Sequence, residues 1–97
     1  MTIGVIATLT VQPGKNKEFE AAFLVLAQQV REAEPGNLLY ALHRSTTDPQ
    51  VYKVMEQYTD AAALKAHGET AHFAAALQQV GTLLAAPPEV EQLEALG

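Results

Sequence analysis

Glu56 and Tyr58 stand two residues apart in VMEQYTD, and His67 and His72 stand five apart in KAHGETAHF. A carboxylate, a phenol and an imidazole beside apolar groups can hold a phenolic substrate and take its proton. Glu56 or His67 is the candidate base or hydrogen-bond partner, and Tyr58 the candidate orienting group. His72 is the candidate for orienting a substrate oxygen, and Phe73 for a pocket wall. Each has a plainer alternative. Buried polar groups are generally there to be satisfied, so Glu56 could accept hydrogen bonds from helix-terminal N–H groups or from His67 and lock two layers together. His72 could order the loop before its helix, while Tyr40 and Tyr52 read as aromatics packed on a sheet.

Other chemistries lack their residues. There is no cysteine, which removes thiolate nucleophiles, Cys-ligated zinc, iron–sulfur clusters and disulfides. Ser45 is the only serine and has no nucleophile elbow around it. Gly4, Gly14 and Gly36 are isolated, so no phosphate-cradling loop is expected, and no motif supports a flavin or nicotinamide. The five-residue histidine spacing is not that of a helical metal pair, and no third ligand is evident, so no metal site is expected. Six Lys plus Arg against eleven Asp plus Glu give a net charge of −5, and only Lys15 and Lys17 lie close together. Nucleic acid is therefore not an expected partner. No apolar run approaches the ~18–20 residues of a membrane span, and MTIGVIATLTVQ lacks the basic start of a signal peptide. The expectation is a reduced, cytoplasmic protein with no membrane partner.

Turn residues at Pro13-Gly14, Glu34-Pro35-Gly36-Asn37, Thr47-Asp48-Pro49, Gly68 and Pro87-Pro88 divide the chain into six pieces. Ile3–Gln12 alternates with period two and is rich in β-branched residues, which predicts a strand. Lys15–Ala33 places Phe19, Ala22, Phe23, Leu26 and Val30 at helical spacing, about five turns of amphipathic helix. Leu38–Ser45 and Val51–Tyr58 read as strands joined in a hairpin. Asp60 can cap a short helix over Ala61–His67, and Thr70 another over Ala71–Leu84, with Phe73, Leu77, Val80 and Leu84 inward. In Glu89–Leu96 the spacing of Val90, Leu93 and Leu96 favours a helix, whereas the preceding prolines and the need for a fourth strand argue against one.

This order is the ferredoxin-like split βαβ pattern, an α+β fold with an antiparallel sheet and helices on one face. A chain of 97 residues is expected to form one domain, here residues 2–94, and buries only roughly two thirds of its unfolded surface. The hairpin strands carry apolar groups on both faces, including Leu39 and Met55 opposite the Tyr40 and Val54 face. Packing two sheets together would bury the second face at about 25 cal/mol per Å², so a homodimer is expected.

The stretches VQPGK, EPGNLLYALH and VMEQYTDAAALKAHGETAHF resemble the antibiotic biosynthesis monooxygenase family over Ile3–Leu93. That family typically has Glu-x-Trp, a small acidic turn, a helix ending in His, and then Ser/Thr-Pro-His-Phe. The corresponding residues are Glu56, Tyr58, Asp60, His67, Thr70, His72 and Phe73; Tyr58 stands where Trp is common and Ala71 where Pro is common. The resemblance implies a final strand in the tail and a dimeric, barrel-like α/β assembly. It also implies a cofactor-independent monooxygenase acting on a quinol or other small polyphenolic aromatic with molecular oxygen. The family's haem-degrading branch has a haem-ligating His where Leu77 stands, read as an apolar core residue, so haem is not expected. Two further readings stand beside the oxygenase. One branch of the fold isomerises a phosphorylated quorum-signal sugar and shares Tyr at the Tyr58 position, although Arg44, Lys53 and Lys65 form no basic cluster. A non-catalytic dimeric binding module would be favoured by a pocket filled with its own side chains.

Overall fold

Period-two alternation puts Ile3, Val5 and Leu9 on one face of the first strand, and the computed structural model, which describes residues 1–97, buries all three. That strand is β1 (Ile3–Thr10). It leads through Pro13 and Gly14, whose positive φ of 83° makes the turn, into helix α1 (Asn16–Ala33). The remaining elements are β2 (Asn37–Arg44), β3 (Val51–Tyr58), α2 (Ala61–Gly68), α3 (Ala71–Gly81) and β4 (Glu89–Glu94). The strands form one sheet in the order β2-β3-β1-β4, antiparallel throughout. This is the expected ferredoxin-like α+β fold, and no helix is long and apolar enough to cross a membrane.

The apolar stripe of α1 does what its spacing predicts. Phe19, Phe23, Leu26, Ala27 and Val30 pack on Leu9, Tyr40, Tyr52 and Val54 of the sheet. Burying side chains of this size contributes about 1.5–3 kcal/mol each. A smaller cluster of Ile3, Val5 and Tyr58, with Ala63 and Leu64 against it, holds the other end of the sheet.

Two details differ from the sequence reading. Helix α3 stops at Gly81, and Val11 instead forms an isolated bridge with Leu84. Leu77 is 49% exposed and not a core residue; it borders a cavity, so an inward-spaced side chain meets space rather than a wall. The tail resolves the conflict between periodicity and prolines in favour of the strand: β4 pairs with β1, Ala7 opposite Val90 and Gly4 opposite Leu93.

The turns that position the functional side chains are tightly set. Glu34 is the C-cap residue of α1, with its N–H bonded to Val30 O at 3.0 Å. Pro35 prevents the helix from continuing. At Gly36 a Cβ would lie only 2.5 Å from Ala63 Cβ, so α2 packs directly against the turn after α1. Asp60 caps α2 by accepting from Ala63 N at 2.8 Å. Thr70 accepts from Phe73 N at 3.2 Å and donates to His67 O at 2.9 Å, tying the end of α2 to the start of α3.

Candidate functional site

Between the sheet and the α2–α3 layer lies a cavity of about 230 Å³. Val5 and Leu9 of β1, Val54 of β3, Leu26 of α1 and Phe73 and Val80 of α3 supply much of its wall. A dry apolar cavity of roughly 150 Å³ accepts benzene, so this one has room for a single substituted ring. Its polar lining is confined to Tyr40, Glu56 and His67.

Glu56 and Tyr58 share the helix-facing side of β3, as their spacing requires. The Tyr58 hydroxyl donates to Glu56 Oε1 at 2.7 Å. Tyr58 is fully buried and stands behind Glu56, outside the cavity wall. Glu56 is therefore held by the phenol, not by His67 or by helix-terminal N–H groups. Its second oxygen, Oε2, has no protein partner.

His67, at the end of α2, is clasped by aromatic rings. Its ring centroid lies 4.7 Å from that of Phe73, 5.3 Å from Tyr40 and 5.4 Å from Tyr58. Its Nδ1 meets both oxygens of Glu34, at 2.9 and 3.1 Å. His72 turns away from the cavity and places its Nε2 2.5 Å from Glu34 Oε2. Because a carboxylate accepts, this network assigns protons to His67 Nδ1 and His72 Nε2 and leaves a lone pair on His67 Nε2.

No polar side-chain atom in the structure is both sealed from solvent-sized space and unpartnered. Glu56 Oε2, His67 Nε2 and the Tyr40 hydroxyl all lack a protein partner, so each retains accessible surface, and each belongs to a cavity-lining side chain. The site therefore presents three unpartnered polar atoms among apolar walls, in a cavity open on the side of Leu77 and Val90.

Burial sets the electrostatics. It pushes the Glu56 carboxyl from an ordinary 4.5 to about 7, with the Tyr58 hydrogen bond opposing and the Glu34 charge adding to the rise. Burial pulls the His67 imidazole below its usual value, against the opposing pull of Glu34. His67 is accordingly neutral near pH 7, a proton acceptor backed by a carboxylate. That is the logic of a base whose far nitrogen is oriented by an acid.

Of the five candidates taken from the sequence, the structure brings Glu56, His67 and Phe73 to the cavity and sets Tyr58 and His72 behind them as hydrogen-bond partners. The sequence reading missed Glu34, whose place in a Glu-Pro-Gly-Asn turn signals only a helix end. It took Tyr40 for a packing aromatic, and Tyr40 does pack in the core against Phe23, but it also lines the cavity.

The sequence profile of antibiotic biosynthesis monooxygenases matches residues 2–79. The chain is 36% identical over 88 residues to the proposed monooxygenase YcnE of Bacillus subtilis, covering 91% of this chain and 92% of that one. A crystal structure of a proposed antibiotic biosynthesis monooxygenase from Caulobacter crescentus superposes with a TM-score of 0.96 at 50% identity, covering 99% of this chain and 91% of that one. PA3566 from Pseudomonas aeruginosa superposes with a TM-score of 0.88 at 33% identity, covering 99% and 95%. The chain belongs to the antibiotic biosynthesis monooxygenase family.

Proposed function

We propose that the protein is a cofactor-independent monooxygenase that oxidises a single-ring quinol or polyphenol with molecular oxygen. The observation that carries this reading is a neutral His67 in the wall of an apolar cavity of ring size, held by Glu34 at Nδ1 and without a protein partner at Nε2. His67 takes the proton of a substrate hydroxyl, and Glu34 stabilises the imidazolium that results. The phenolate is electron-rich enough to reduce oxygen held beside it, and the apolar walls limit the water around it. For a hydroquinone with a free ring position, the products are the hydroxyquinone and water. One oxygen atom ends on the ring carbon and the other in water. The ring supplies all four electrons, two as quinol becomes quinone and two as C–H becomes C–OH. Glu56, fixed by Tyr58, hydrogen-bonds the second substrate hydroxyl, and Phe73 packs on the ring.

The phosphorylated-sugar isomerase has less support, because no lysine or arginine lines the cavity to meet a phosphate. A purely structural module would have filled the space. The reading includes a homodimer joined through the open sheet face, where Leu39, Met55 and Leu93 are each about two-fifths exposed. Sedimentation at micromolar concentration should give a dimer, and a stable lone subunit would count against that assembly.

The deciding experiment is oxygen uptake with a panel of hydroquinones. The parent should consume oxygen well above the protein-free rate and His67→Ala should not. Equal rates in parent, variant and buffer would eliminate the assignment.

A further inference from the structure

The three tyrosines are all buried, and two of them have paired hydroxyls. Tyr52 donates to Glu20, and Tyr58 donates to Glu56. Tyr40 differs. Its backbone carbonyl accepts from Arg31 at 3.1 Å, but its hydroxyl has no partner, although the residue is only 4% exposed. The ring is fixed, lying parallel to Phe23 within 6° at 5.8 Å and close to His67. A buried phenol without a partner is costly unless something else supplies one. Here the hydroxyl retains accessible surface on a side chain that lines the cavity together with Glu56, its cross-strand neighbour, and His67.

We propose that the Tyr40 hydroxyl is a substrate contact that donates to the ligand's ionised oxygen and selects phenols as the class this cavity binds. The inference rests on the oxygenase reading for its reaction but not for its binding chemistry. Once His67 has taken a proton, an oxyanion stands in a cavity with no lysine or arginine on its wall. Tyr40 is the one side chain there that is always a donor: burial, together with the charges of Glu56 and Glu34, pushes its phenol far above the ordinary range, so it keeps its proton. The groups facing the bound oxygen are thus Tyr40, Glu56 and His67, with Glu34 behind His67. A donor already fixed and already desolvated is the arrangement that favours developing negative charge.

The test uses 4-nitrophenol, whose absorbance separates phenol from phenolate, with the parent, Tyr40→Phe and Tyr52→Phe. The parent should bind it and ionise it at a lower pH than in buffer. Tyr40→Phe should bind the phenolate about 10- to 100-fold more weakly while melting like the parent, since no protein hydrogen bond is lost. Tyr52→Phe should bind as the parent does. Equal affinity in parent and Tyr40→Phe, or no binding by the parent, would overturn the inference. A parent that binds 4-nitrophenol through Tyr40 but oxidises no quinol would refute the oxygenase reading and leave this one standing.

Discussion

Glu56 gives the sharpest quantitative prediction, because its burial has a thermodynamic cost that pH can switch on and off. The folded carboxyl releases its proton near pH 7, against an ordinary 4.5. Between those values the folded chain holds a proton that the unfolded chain has lost. Stability therefore falls as pH rises through that window and levels off above it. The difference of about 2.5 pH units corresponds to about 3 kcal/mol. In Glu56→Gln the amide oxygen can still accept from Tyr58, and nothing remains to ionise. Urea unfolding of parent and variant, run in parallel from about pH 4 to pH 8.5, isolates the effect. The variant should match the parent within a few tenths of a kcal/mol at the acid end and exceed it by about 3 kcal/mol at the alkaline end. In a domain of this size that is a melting difference on the order of 10 °C. A stability difference that does not change with pH would refute the reasoning, since it would mean that Glu56 is solvated enough to ionise normally.

Three further outcomes follow from the same geometry. Gly36→Ala would press a methyl into Ala63; it should cost about 1–3 kcal/mol in urea unfolding and also weaken activity, because α2 carries His67 away from Glu34. Thr70→Ala removes the α3 cap and the bond to His67 O, which should cost about 1–2 kcal/mol and speed amide exchange at Phe73. Glu34→Gln keeps the shape but leaves His67 without an anionic partner, so kcat in oxygen uptake should fall by about 10²-fold or more, and an undiminished kcat would remove Glu34 from the mechanism.

The frame was readable because each element declares itself locally. β1 alternates, α1 repeats its apolar residues every three to four positions, and Asp60 and Thr70 stand where caps belong. Alternation alone also puts Glu56 and Tyr58 on one face. The Glu34–His67 pairing was not readable. It joins residues 33 positions apart and depends on α2 lying within van der Waals reach of Gly36, a glycine that in sequence reads only as part of a turn. Alternation likewise assigns Tyr40 to the helix-facing side, but no pattern reveals whether a hydroxyl has a partner. Leu77 shows the opposite failure. Helical spacing assumes that the space an inward residue points toward is filled, and here it is a cavity.

Strand β4 closes the sheet on one side only, so its outer backbone N–H and C=O groups stay unpaired, a template on which another chain could add. Within six residues it carries Glu89, Glu91 and Glu94, all exposed. A second molecule offering the same edge would set carboxylate beside carboxylate, an unfavourable pairing across neighbouring strands. Like charge at this border disfavours a second copy adding to the same rim.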